Sequence, residues 1–202
     1  VFVGVESGTN GQTRRYKKPV NRTQNLTAIR TLRHLDITLD AGFIMFDPEM
    51  TLAELEQNIR FIREAGLGDH DARLTKALRV EPGTSLEQHY RREGLLTGPV
   101  DLDSVSYPYR WKDPAVEAVH AAFQIWEDEL MDPIYELQAA TRGEVESEGV
   151  RSERRQRLGQ LRTLDLEVLG ALVVGAREGR DPLRHALSQH RRRRNDLLPQ
   201  GA

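Results

Sequence analysis

The stretch that most constrains the fold covers residues 40–67 and reads DAGFIMFDPEMTLAELEQNIRFIREAGL. Residues 42–46 form an apolar run too short for a helix, and such a run predicts a strand buried on both faces of a parallel sheet. Thr51 and Glu54 have the spacing of a capping box, which predicts that a helix begins here, and Gly66 ends it. One strand, one loop and one amphipathic helix make the repeat unit of parallel α/β folds.

The same unit recurs on either side of this stretch. Residues 1–5 predict a first buried strand, residues 74–80 a third, and residues 104–109 a weaker candidate. Residues 113–130 and 152–177 predict long helices, with a linker at 143–149 and a frayed or disordered end from Arg191 onward. We therefore predict an α/β fold, in which residues 1–112 form a partial (β/α) barrel of about three parallel strands with helices. Residues 113–202 are predicted to be an α-helical extension.

The charge and the amino-acid composition exclude several classes of protein. The net charge of −2 argues against general attraction to nucleic acids or membranes, and no apolar run is long enough to span a bilayer. The chain has no cysteine, which removes disulfides, thiolate catalysis and thiolate-held iron or zinc. It opens inside a predicted strand without an initiator Met, so we expect a fragment or a trimmed piece of a cytoplasmic protein.

Ligands in parallel α/β folds bind at the carboxyl ends of the strands, which points to three predicted loops. The polar candidates in those loops are Glu6, Ser7, Asp47, Glu49, Glu81 and Thr84. Glu6 could accept hydrogen bonds from ribose hydroxyls or an amino group. The alternative is that it pairs with a nearby arginine or a helix amino terminus. Lys18 could meet a carboxylate or phosphate, although solvated loop lysines are common.

Metal and nucleic-acid sites have weaker support in the sequence. His70 lies between two aspartates, but no second cluster of ligands stands at a usable spacing, so we predict no metal site. The run Arg191 to Arg194 could touch nucleic acid or an acidic partner. The neighbouring acidic residues favour a solvated tail instead.

Four strings occur in the order and spacing of a known family: VGVESG, RRYKKPVN, GFIMFDPEMTLAELEQNIRFI and LRVEPGTSLEQHYRREG. Together they resemble the second half of a radical S-adenosylmethionine (SAM) barrel, in the branch associated with cobalamin domains. The resemblance covers about the first 110 residues. It implies an enzyme whose [4Fe–4S] cluster cleaves SAM to a 5′-deoxyadenosyl radical, for cobalamin-dependent methyl transfer or rearrangement of a substrate that these strings do not identify.

The resemblance also assigns cofactor-binding residues. Glu6, with Ser7 beside it, matches the acidic or amide residue next to SAM, and Lys18 matches a basic residue that faces the SAM carboxylate. Related enzymes bind ribose with an aspartate where this chain has Gly42. Asp40 lies two residues earlier on the same face of the predicted strand and could substitute for it.

The three cysteines that hold the cluster in such enzymes are absent here. We therefore expect this chain to be inactive alone, with the amino-terminal half of the enzyme and any cobalamin domain as its missing partners. An uncovered edge at residues 1–5 would also promote self-association. The alternative function is a cysteine-free relic that serves as a binding or assembly module through its helices from Asp113 onward.

Overall fold

The structure, a computed structural model, describes residues 1–67, 76–129 and 148–197. These residues form two compact units. The first comprises Val1–Phe61 and Ala72–Glu117, and the second comprises Ile62–Asp71 and Ala118–Ala202. No helix within the described ranges is long and apolar enough to cross a membrane.

The first unit is built on a two-stranded parallel sheet. Strand β1 (Phe2–Glu6) pairs with strand β2 (Asp40–Phe43), and the register shifts between Gly4 and Glu6. The first two predicted strands are thus confirmed, with the second displaced toward its amino end. The mixed α/β class is confirmed as well.

The third predicted strand is reduced to one parallel bridge between Phe46 and Ala77, and residues 74 and 75 lie outside the described ranges. The segment after Ala77 does not continue the sheet, because the backbone of Val80 bonds to residues 106 and 107 instead. Its N–H donates to Ser106 Oγ at 2.9 Å, and its carbonyl accepts from Tyr107 N–H at 2.9 Å. Residues 104–109 form isolated antiparallel bridges rather than the strand that the sequence predicted.

Among the described residues, the helices that begin in the first unit are α1 (Asn10–Arg15), α2 (Arg22–His34), α3 (Leu52–Glu64), α4 (Ser85–Arg92) and α5 (Pro114–Asp128). The predicted capping box of α3 is confirmed, because Glu54 N–H donates to Thr51 Oγ1 and Thr51 N–H to Glu54 Oε2, each at 3.2 Å. Helix α1 was not expected, since its segment reads as a polar loop.

The second unit is helical and includes α6 (Glu148–Arg177) and α7 (Pro182–Leu197). The Trp126 indole of α5 is fully buried and donates to Asp165 Oδ1 of α6 at 2.8 Å. This hydrogen bond joins two helices whose buried faces are largely apolar, and so fixes one arrangement of those faces.

The prediction of a frayed end from Arg191 onward is wrong for the described residues. Arg191 and Arg194 pair with Glu129, and Arg193 pairs with Glu167, so the basic run lies in α7 against acidic residues of its own unit. These ion pairs explain why a run with little apolar periodicity is helical. The described ranges do not include residues 198–202, most of the predicted linker at 143–149 or the His70 loop.

Candidate functional site

Glu6 ends β1 in a strained conformation. Its φ is +63°, and Ser7 N–H donates to the Val5 carbonyl at 2.8 Å, which closes a three-residue turn centred on Glu6. A turn of this kind with positive φ at its centre is rare and costly for a residue with a side chain. The Glu6 carbonyl still accepts from Ile44 N–H at 2.9 Å, so the turn redirects the Glu6 side chain without ending the sheet.

The Glu6 carboxylate meets Lys18, the second charged residue that the resemblance assigns to SAM. Lys18 Nζ lies 2.9 Å from Glu6 Oε1, with 43% of the lysine and 20% of the glutamate side chain exposed. Lys17, at φ +55°, closes α1, and Lys18 N–H donates to the Thr13 carbonyl at 3.0 Å. The close of α1 therefore fixes the backbone from which the Lys18 ammonium reaches Glu6.

Gly4 leaves open the space that the Glu6 carboxylate occupies. A Cβ on Gly4 would lie 2.7 Å from Glu6 Oε1, so the carboxylate occupies the space that any larger residue would fill. An open cavity of about 680 Å³ adjoins Glu6, and its wall also includes Phe2, Gly42, Phe43, Ile44 and Arg79. Glu6, paired with Lys18, thus faces a cavity whose wall carries both apolar and charged side chains.

Ser7 lies behind the site. Its side chain is fully buried, and its Oγ accepts from Thr9 N–H at 2.9 Å and lies 2.6 Å from Gln12 Oε1. In this position Ser7 contacts the β1–α1 loop and α1 rather than the cavity. The assignment of Ser7 to cofactor binding remains a prediction.

Asp40 is not brought together with Glu6. In the parallel register Asp40 pairs with Phe2 at the amino end of the sheet, whereas Glu6 pairs with Phe43 at the carboxyl end. Three residues of strand separate the two levels by roughly 10 Å. The site defined by the structure therefore contains Glu6 and Lys18 but not Asp40, whose own role remains a prediction.

A buried charge network supports the loop after β2. Asp47 is fully buried, and its Oδ2 accepts from Arg15 Nη2 and from the Tyr16 hydroxyl, each at 2.9 Å. Arg15 also pairs with Glu54 at 2.8 Å. Burial disfavours the charge on Arg15, but hydrogen bonds and the charges of Glu54 and Asp47 outweigh it and raise the Arg15 pKa. Glu54, read from the sequence as a cap alone, thus also holds α1.

The other strand-end candidates have structural partners. Glu49 pairs with Lys112 at 2.6 Å and with His89 at 2.7 Å, which ties the loop after β2 to α4. Burial would raise the Glu49 pKa, but the hydrogen bonds with Lys112 and His89 lower it below its usual value. Thr84 caps α4 by accepting from Glu87 N–H at 3.1 Å. Within the described ranges, no group of three or more His, Cys, Asp or Glu residues is placed to hold a metal ion.

The strain at Glu6 gives a measurable prediction. Glu6→Gly and Glu6→Ala both remove the ion pair, but glycine alone adopts positive φ without cost. We expect the glycine variant to have a free energy of unfolding about 1 kcal/mol higher than the alanine variant. Urea unfolding followed by circular dichroism measures the difference. Equal stabilities would show that the turn relaxes at no cost.

Comparison with solved structures identifies the class of protein whose fold this chain shares, the cobalamin-dependent radical SAM enzymes. The particular protein that it matches is OxsB. The OxsB structure with aqua-cobalamin matches at a TM-score of 0.75 and 22% identity, and the match covers 95% of this chain and 32% of OxsB. The structure with aqua-cobalamin and SAM matches at a TM-score of 0.74 and 21% identity, with the same coverage.

A sequence relative also supports the similarity to this class of enzymes. The 4′-phospho-dehydrooxetanocin synthase of Priestia megaterium is 46% identical over 63 residues, which are 31% of this chain and 8% of the relative. No protein-family model matches the chain. The predicted resemblance to radical SAM enzymes of the cobalamin-associated branch is therefore confirmed. The chain spans about a third of the OxsB structures it matches.

Proposed function

We propose that this chain forms the SAM-binding side of a radical SAM enzyme, as part of a (β/α) barrel that carries out 5′-deoxyadenosyl-radical chemistry. The observation that carries the proposal is the Glu6–Lys18 pair, held by a strained turn at the carboxyl end of β1. The fold shared with OxsB, one structure of which has SAM bound, supports the same assignment.

The charges of this pair complement those of the methionyl group of SAM. That group carries an ammonium and a carboxylate on one carbon, so the Glu6 carboxylate can accept from the ammonium while the Lys18 ammonium faces the carboxylate. In the free chain the two side chains form an ion pair at 2.9 Å. This pair holds both charges at the position where the methionyl group of SAM would bind. The space left by Gly4 allows Glu6 to lie flat against β1. SAM, when bound, supplies the adenosyl and methyl groups for the chemistry.

The residues of this chain do not fit a [4Fe–4S] cluster, because its iron ions need thiolate ligands and the sequence has no cysteine. We propose that the cluster is held by a separate amino-terminal half of a cytoplasmic enzyme, which also contributes any cobalamin site. OxsB structures with aqua-cobalamin support this division, since the match covers about a third of that protein. The exposed edge at Phe2, 65% accessible, is our candidate for the surface that meets the partner or a second copy.

Titration of the chain with SAM in a calorimeter tests the proposal. We expect Glu6→Ala to weaken SAM binding by about 1–3 kcal/mol, because a buried hydrogen-bond partner is lost. Lys18→Met should cost less, about 1 kcal/mol or below, because the ammonium is partly exposed and screened. Lys17→Met is the matched control, since it removes the same charge from the adjacent residue, which is exposed.

The three variants separate a binding site from a general charge effect. If Glu6→Ala and Lys18→Met both bound SAM with unchanged affinity, the proposal would be contradicted. The ion pair would then have a structural role only. An equal loss of affinity in Lys17→Met and Lys18→Met would indicate a long-range effect of positive charge rather than a contact between Lys18 and SAM.

A further inference from the structure

Asn58 is a buried polar residue on the apolar side of α3. Its side chain is fully buried among residues that include Leu55, Ile59 and Ile62, the apolar stripe of the helix. A polar amide in such a position costs free energy unless its donors and acceptor are all satisfied. The partners of the Asn58 amide therefore indicate why a polar side chain is placed there.

The Asn58 amide holds two segments at once. Its Oδ1 accepts from Gly8 N–H at 2.8 Å, and its Nδ2 donates to Gln12 Oε1 at 2.9 Å and to the Met45 carbonyl at 3.3 Å. Gly8 N–H can only donate and the Met45 carbonyl can only accept, so these two contacts fix the orientation of the amide. The Ser7 hydroxyl also lies 3.1 Å from Asn58 Oδ1.

The segments that Asn58 holds are adjacent in the chain to Glu6 and Lys18, the two charged residues of the candidate site. Ser7 and Gly8 directly follow Glu6, and Gln12 lies in α1, whose closing turn sets Lys18. The loop packs closely against α3, because a Cβ on Gly8 would lie 2.3 Å from Phe61 Cβ. A strained turn persists when its surroundings over-determine it, and here one amide fixes the residues on its carboxyl side.

We propose that Asn58 is a positioning residue for the Glu6–Lys18 pair, which it holds through Gly8 and Gln12 without contacting either charge. The inference rests on the proposed function of that pair in SAM binding. In this proposal α3, through Asn58, keeps the Glu6 turn closed and α1 in position in the free chain. Little conformational entropy is then lost when SAM binds.

The first measurement needs no ligand. In Asn58→Leu, which keeps the branching of the side chain and removes the hydrogen bonds, we expect amide hydrogen exchange at Ser7 and Gly8 to rise at least about tenfold. Ser106→Ala is the matched control, because Ser106 is a similarly buried residue of the same unit that bonds Val80 N–H and lies outside this network. Exchange at Ser7 and Gly8 that rises equally in both variants would overturn the proposal.

The second measurement is a double-mutant cycle on SAM affinity. If Asn58 acts through Glu6, Asn58→Leu should weaken SAM binding about tenfold alone and by less than about twofold when Glu6→Gln is already present. Losses that multiply would overturn the positioning role. Should Asn58→Leu fail to fold, Gln12→Met cuts the link to α1 and takes its place in both measurements. Absence of SAM binding by the unaltered chain would count against the proposed function, whereas the exchange result would still decide the role of Asn58.

Discussion

Replacing Arg15 with methionine is expected to lower the free energy of unfolding by about 3 kcal/mol. The substitution keeps the apolar stem of the side chain but leaves the carboxylate of Asp47 fully buried without its cation, and Glu54 also loses its partner. An unpaired charge in that position costs far more than the pair contributes. Urea unfolding followed by circular dichroism measures the loss.

Arg91→Met provides the matched control for Arg15. Arg91 also pairs with a glutamate at 2.8 Å, but 59% of its side chain is exposed, so we expect a much smaller change in the free energy of unfolding. If the two variants were destabilised equally, the buried network around Asp47 would not be the support for the loop after β2 that its geometry indicates.

Raising the pH above about 10 is expected to unfold the first unit steeply. Burial and the Asp47 carboxylate raise the pKa of three tyrosines above their ordinary value of 10.0: Tyr16, Tyr90 and Tyr109. Above that pH the unfolded chain releases three protons that the folded chain retains. Stability is therefore fully present below about pH 10 and falls above it by about 4 kcal/mol per pH unit.

The variant Tyr90→Phe tests this account at one position. It should reduce the slope to about 3 kcal/mol per pH unit, because one buried phenol is gone. At neutral pH it should raise the free energy of unfolding by about 1 kcal/mol, since the Tyr90 hydroxyl is buried without a hydrogen-bond partner among the described residues. Urea unfolding at about pH 8 and about pH 11 supplies both values. An unchanged slope would mean that Tyr90 does not stay protonated in the folded chain.

The parts of the fold that sequence reasoning found are those set by local interactions. The capping box of Thr51 and Glu54 lies within four residues, and the structure has a box of the same short range at Asn21 and Gln24, where α2 begins. Buried strands are likewise visible as short apolar runs, which is why β1 and β2 were found. The third strand was predicted at full length in error, because Val80 pairs with residues more than 20 positions away.

Only part of the candidate site could be predicted from the sequence. The rule that ligands bind at strand ends, together with the resemblance, led to Glu6 and Lys18, which the structure places in contact. Asp40 was assigned because it lies two residues from Gly42 on the same face of the strand. The structure places Asp40 at the end of the sheet opposite to Glu6, and its role remains a prediction. Asn58 and Gln12 gave no signal, since a polar residue in a predicted helix or polar loop reads as exposed until its buried partners are known.

Mapping SAM onto the isotope-labelled chain by NMR tests the central claim most directly, since it reports the position of binding rather than its strength. We expect SAM to shift the amide resonances of Glu6, Ser7 and Lys18, and we expect Glu6→Gln to abolish most of these shifts at the same SAM concentration. Resonances around Asp40, at the amino end of the sheet, should move little. Shifts centred on Asp40 or on the second unit, with Glu6 and Lys18 unmoved, would contradict the claim that this pair receives SAM.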